Sequence, residues 1–311
     1  MFAILSGVAE IVDEIRAACA RVSGQARYVS IDREAIPAYA IGLPMNETAP
    51  VAQPLTGLRE ERAAFWVTLD AINYGSGWFP TLRKQEGRSG YLTIASGIRD
   101  RFEARGPWTA QELARIEAEE LAAALHQDPD HELMTLFARS LRDLGRHLAG
   151  EHGARFTSLL DAAQGSAVKL AELLCGWDCF ADSSTYSGFE VPFLKRAQIA
   201  AADLSRAGLV QFADLDRLTM FADNLVPHVL RLDGVLRFHP GLVARIDRGE
   251  LIAHGSPEEV EIRACALHAV ESLVASRPGS CAAQLDELLW LRGGGPRYKA
   301  RPRHRSRCTA Y

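Results

Sequence analysis

Helical periodicity constrains this chain more than any other feature. The stretch ELMTLFARSLRDLGRHLAG (132–150) sets Leu133, Phe137, Leu141, Leu144 and Leu148 along one stripe, which predicts an amphipathic helix with one buried face. The same spacing predicts helices over 111–126, with Thr109 as N-cap, and over 156–175, weakened by Gly165. A helix over 193–208 ends at Gly208, a natural residue for the position after a helix. The clearest start lies at Ser256-Pro257, where serine caps, proline takes the first helical position and Glu259 completes a capping box for 256–275. On that helix Glu271 shares a stripe with Val260, Ala264, Leu267 and Val274, so it is expected to face inward. A short helix over 284–292 follows, then a glycine run and a basic tail.

Strand signals are weak. ARYVSID (26–32) and GYLTIA (90–95) alternate faintly and are expected to form one small ribbon. The N-terminal Leu5, Val8, Val12 and Ile15 predict an amphipathic first helix, and Glu10, Asp13 and Glu14 arrive too early for a secretion signal. No apolar run approaches the roughly 20 residues needed to span a bilayer, so no membrane partner is expected. No linker or fixed repeat interrupts the chain, which predicts a single mostly α domain over 1–311 with at most a small β ribbon.

Composition narrows the function. A formal charge of −4 offers no general attraction for nucleic acid. Six scattered cysteines favour reduced thiols and a cytoplasmic setting. The pair Cys175 and Cys179 lacks a matching second pair, so two small hydrophobes are a better reading than zinc. No metal or cofactor is expected, since dinucleotide, P-loop, zincin and nucleophile-elbow signatures are all missing from the sequence.

One segment breaks the pattern. LTMFADNLVPHVL (218–230) sets Asp223 among Leu218, Phe221, Leu225 and Val226, which read as core. A carboxylate inside an apolar run must be paired, hydrogen-bonded or protonated, because an isolated buried charge costs several kcal/mol or more. A second stretch, FWVTLDAINYGSGWFP (65–80), carries Asp70 and Asn73 and then Tyr74 and Trp78 around two glycines. That loop suits either stacking on a planar ring or plugging of the core. A third sets Asp182 before Lys195 and Arg196 at a helix start. Cations there oppose the helix dipole, so they await an anionic partner or are simply solvated. The tail RPRHRSRCTAY offers His304, Arg305 and Arg307 beside Tyr311, either a phosphate clamp or a frayed end.

These segments together resemble the queuosine salvage proteins, the queuosine 5′-phosphate N-glycosidases. The similar stretches, in order, are LDAINYGSGWFP, FADSSTYSGFEVPFLKRAQIAAADL, LTMFADNLVPHVLRLDGVL, EEVEIRACALHAVE and HRSRCTAY, covering the chain from about residue 55 to its end. The chain departs from the family pattern at Leu194, Asn224–Leu225 and His228. The resemblance implies an all-helical, DNA-glycosylase-like fold and a hydrolase that releases queuine from queuosine 5′-phosphate, with Asp223 as catalytic carboxylate. With that substrate, Asn73, Tyr74 and Trp78 are assigned to the base, and Asp182 to its N–H groups or side-chain amine. Lys195, His304, Arg305 and Arg307 are assigned to the 5′-phosphate, with Tyr311 anchoring the tail. The alternatives are a DNA glycosylase-like base-excision enzyme and a non-catalytic 7-deazaguanine-binding helical module.

Overall fold

The computed structural model describes residues 10–44 and 55–311. Among them are fifteen α-helices and two small two-stranded antiparallel sheets. The first third holds α1 (Ile11–Gln25), β1 (Val29–Ile31), α2 (Ala35–Gly42), α3 (Arg59–Ala71) and α4 (Gly90–Arg105). Next come α5 (Ala110–Leu113), α6 (Ala118–Ala124), α7 (Glu132–Glu151), α8 (Phe156–Ala162) and α9 (Ala167–Cys175). The hairpin β2 (Ser183–Tyr186) and β3 (Phe189–Pro192) leads into α10 (Lys195–Arg206). The last third holds α11 (Leu225–Leu232), β4 (Leu236–Phe238), α12 (Pro240–Asp247), α13 (Pro257–Ser276), α14 (Ala282–Gly293) and α15 (Pro296–Lys299). No described helix is long and apolar enough to cross a membrane.

Local chemistry explains most of these boundaries. On α7 the expected stripe is fully buried. Thr109 and Glu112 form a reciprocal capping box at α5. The expected helix over 111–126 nevertheless divides in two, α5 and α6. Gly165, at φ +77°, likewise divides 156–175. Asp214 then caps the start of α9, accepting from Ser166 Oγ and Ala167 N. Gly208 follows α10 at φ +68°, as a residue beyond a helix end should.

The ribbon differs from expectation. Residues 90–95 are the first turns of α4, capped by Ser89, and Gly90 is needed because the Phe79 ring occupies the place of a Cβ. The strand at 29–31 pairs instead with β4, Val29 opposite Phe238. The second sheet is a hairpin closed by Ser187 and Gly188, both at positive φ, a two-residue turn matched to strand twist. The N-terminal expectation at Leu5 and Val8 lies outside the described residues, while Val12 and Ile15 are buried on α1 as expected.

Helix α13 is the centre of the molecule, packed against α1, α2 and α14. Because it is buried nearly all round, its charged residues need internal partners. Glu261 accepts the N–H groups of Arg27, Tyr28 and Val29 and the hydroxyl of Tyr186. The expectation for Glu271 holds only in part, since it is half-buried at the edge and pairs with Arg16 at 3.1 Å. The deeper carboxylates of this helix are Glu259 and Glu261.

A candidate active site at converging helix ends

The C-terminal end of α3, the start of α10, the loop before α11, α14 and the C-terminal tail converge around Asp223. Its Oδ1 accepts the N–H of Leu225 at 2.7 Å and, at 3.4 Å, that of Val226. Asp223 thus sits at the positive end of α11, which fixes one oxygen. Its Oδ2 accepts no hydrogen bond among the described residues and is not sealed from solvent. The residue is half-buried.

Charges gather round it. Burial pushes the Lys195 ammonium down, and the charge of Asp223 is the largest effect opposing that. Lys195 Nζ donates to the carbonyl of Asn73 at 2.9 Å and to its Oδ1 at 3.3 Å. On α14, Asp286 accepts the N–H of Phe221 at 3.0 Å. Burial, with the charge of Asp223 behind it, pushes the Asp286 carboxyl well above the usual range, because both oppose a second negative charge there. Asp70 is likewise pushed up by burial and by Asp203, and both its oxygens are buried without a partner.

Lys195, Asn73 and Asp223 are therefore brought together. The other expected ligands are not. Tyr74 lies in the core, its ring 5.0 Å from that of Phe137 and its hydroxyl 3.0 Å from Ser140 Oγ, with the Arg196 guanidinium over the ring. Trp78 is buried too, donating from Nε1 to Glu132 at 2.6 Å. The two nearby glycines serve the protein's own chain: a Cβ on Gly77 would strike the backbone of Ser306 and Arg307, and one on Gly75 would strike Leu133. Of the two readings of this loop, the geometry supports the core plug.

Asp182 is engaged inside the protein. Its Oδ2 accepts the backbone N–H of Lys195 at 2.9 Å and Arg263 Nη2 at 2.7 Å, and Arg263 also reaches the carbonyl of Ala222. The expected anionic partner for the Lys195 and Arg196 side chains is therefore not Asp182, which pairs with Arg263 instead; its Oδ1 is buried and unpartnered. Arg196 is spent on backbone carbonyls of Ala71, Cys179 and Ala310.

The tail is docked, not frayed. Tyr311 accepts the N–H of Gly75 with its carbonyl at 3.0 Å, and Arg263 lies under its ring. His304 is buried, and burial drives its pKa down to about 3, so it is neutral and unsuited to hold phosphate by charge. Arg305 points toward the carbonyl of Gly249, and Arg307 toward Glu132 over Trp78. The three therefore form no clamp, because the tail winds and sends each side chain to a different neighbour.

Sequence reasoning missed Asp286 and Arg303. Asp286 had a legible signal: it shares a helical stripe with Ala282, Leu289 and Gly293, all buried, the kind of context that marked Asp223. Arg303 had none, being one of several arginines in the tail. A surface recess of about 320 Å³ between Thr81, Arg83 and His131 lies elsewhere and includes none of these groups. Its cation is already paired, Arg83 with Asp128, so the concentration of desolvated charge at Asp223 is the stronger indicator of a site.

A helical frame that converges on one helix-anchored carboxylate, a buried ammonium and a second, buried carboxyl defines an α-helical protein with a desolvated polar site. The profile described as queuosine salvage protein matches residues 54–311, and the chain belongs to that family. It is 36% identical to a queuosine 5′-phosphate N-glycosylase/hydrolase of Sphaerobacter thermophilus, over 94% of this chain and 95% of the relative. The protein of that name from Schizosaccharomyces pombe is 31% identical over 73% of this chain and 70% of its own length. The one from Bos taurus is 29% identical over 72% of each.

Proposed function

We propose that this chain, acting as one helical domain in the cytoplasm, hydrolyses the N-glycosidic bond of queuosine 5′-phosphate and releases queuine. Family membership and the names of the relatives support the substrate. The observation that carries the chemistry is the geometry of Asp223, with one oxygen held by α11 and the other free. Breaking the ribosyl C–N bond builds positive charge on C1′ and its ring oxygen. A preoriented carboxylate in a partly dry site stabilises that charge far better than water does, and it can accept a proton from the attacking water. The water oxygen bonds to C1′, the bonding pair leaves with the base nitrogen, and a proton returns to the base. A 7-deazaguanine has carbon in place of N7, so protonation there is closed and the leaving base must be met at its other edges. The upward push on the Asp286 carboxyl by burial and by the charge of Asp223 supports this reading, since it disfavours a second negative charge beside Asp223.

A net charge of −4 and the dispersal of the tail arginines weigh against a DNA-binding glycosylase. The test is Asp223→Asn, nearly isosteric but uncharged. Base release from queuosine 5′-phosphate should fall by two orders of magnitude or more, a loss of about 3 kcal/mol of transition-state stabilisation, with the fold retained by circular dichroism. A variant that keeps a tenth of the wild-type turnover would make Asp223 a helix cap, and a wild type that releases no base would leave the binding-module reading.

A further inference from the structure

Among the described residues, the cations around Asp223 divide into those already engaged and one that is not. Lys195 is held by Asn73, Arg196 by three carbonyls, and Arg263 by Asp182 and Ala222. Arg305 and Arg307 turn to Gly249 and Glu132, and Arg301 faces Asp247 at 3.8 Å. Arg303 is half-buried, and its guanidinium makes no hydrogen bond and no ion pair among the described residues. The backbone on either side is pinned. Arg231 donates to the carbonyl of Pro302 at 3.0 Å, and Asn224 Nδ2 donates to that of His304 at 3.1 Å. Asn224 is the neighbour of Asp223, so the tail is fastened beside the carboxylate.

An arginine in this state is unusual. Losing water without gaining a partner is unfavourable for any ion, and burial indeed pushes the Arg303 pKa down, with the charge of Asp223 opposing it. The carboxylate is near enough to be felt but forms no ion pair with the guanidinium, so all five donors remain for something else. None of its nitrogens is among the buried, unpartnered atoms, so a ligand can reach them.

We propose that Arg303 is a specificity-determining residue that binds the phosphate monoester of the nucleotide. The proposal rests on the reading of Asp223 as the carboxylate beneath C1′. In a 5′-nucleotide the phosphate lies across the same sugar from C1′. Arg303, which feels the charge of Asp223 without pairing with it and whose tail is fastened to Asn224, is therefore in place to meet that phosphate. The planar guanidinium can take two phosphate oxygens at once, and it screens the phosphate from the charge of Asp223. The tail thus recognises phosphate through Arg303, while His304, Arg305 and Arg307 hold the segment in place.

The experiment compares full-length wild type, Arg303→Met and Arg303→Lys by kcat/KM on queuosine 5′-phosphate and on queuosine at matched ionic strength. Methionine keeps the apolar stem and removes the charge. The preference for nucleotide over nucleoside should fall at least tenfold in Arg303→Met and recover in part with lysine. Equal losses on both substrates, or an unchanged preference, would overturn the proposal. A separate titration with ribose 5-phosphate decides the site without any turnover: binding weakened at least tenfold in Arg303→Met supports it, and equal binding refutes it. If the wild type hydrolyses neither substrate, the activity reading fails while that titration still judges Arg303.

Discussion

Gly77→Ala probes how the C-terminal tail is held against the rest of the molecule. The Cβ of an alanine there would lie 2.6 Å from the carbonyl carbon of Ser306 and 2.8 Å from the nitrogen of Arg307, and it would also meet the Ser306 oxygen. All three are backbone atoms, so no rotamer change relieves the clash. The gap between 2.6 Å and an ordinary contact near 3.4 Å must be made up by lifting the tail. The segment carries hydrogen bonds at 2.9–3.2 Å, from Ile252 N to the Arg305 carbonyl, from Asn224 to that of His304, and from Arg196 to that of Ala310. A lift of that size takes several of them out of range. Overpacking of this kind costs about 1–3 kcal/mol, and each hydrogen bond lost adds roughly 0.5–1.5 kcal/mol. The total expected is about 3–5 kcal/mol, a fall in Tm of roughly 5–10 °C in a chain of this length. Thermal unfolding is the assay, with limited trypsin digestion to report exposure of the arginines at 301–307. Gly24→Ala is the control, since nothing lies within 4 Å of its Cβ position, and its Tm should hold or rise slightly. A Gly77→Ala protein with wild-type Tm and a protected tail would refute the reasoning.

Asp286→Asn should stabilise the protein at neutral pH. The folded pKa of Asp286 lies well above 3.8, so the stability its proton supplies is complete below about 3.8 and lost as pH rises toward the folded value. The amide removes that loss; the gain in unfolding free energy should grow by about 1.4 kcal/mol per pH unit from about pH 4 up to the folded value, level off above that and vanish below about pH 4, and a pH-independent effect would contradict it. Asp182→Asn leaves the fully buried Arg263 with the carbonyl of Ala222 and, at 3.7 Å, Glu259 as its one remaining carboxylate among the described residues. It should destabilise the fold by about 3–5 kcal/mol by chemical denaturation, and a stable variant with a raised KM would instead make Asp182 a ligand-binding residue.

Sequence alone determined what depends on neighbours within a turn or two. The stripe of α7, the caps at Thr109 and Ser256, and the glycine after α10 all rest on contacts between residues three or four apart, and all appear where they were expected; only the box at Ser256 is altered, because Glu259 accepts the N–H of Gly255 in place of that of Ser256. The segment around Asp223 was conspicuous for a similar reason, a carboxylate among apolar neighbours in one short run. Tertiary structure decided the rest. The strand at 29–31 chose a partner some two hundred residues away, Arg263 paired with Asp182 across 81 positions, and Arg196 reached Ala310 across 114. Tyr74 and Trp78 carry an aromatic signal that fits a ligand or a core equally well, and only the placement of Phe137 and Glu132 resolved it. The tail is the clearest case. Its arginines are chemically alike in the sequence, and they differ in the protein because the backbone, pinned at Gly77 and Asn224, sends one toward Asp223 and the others away. Charge is written residue by residue, but its partners are set by where the chain returns after hundreds of residues, and no local pattern encodes that.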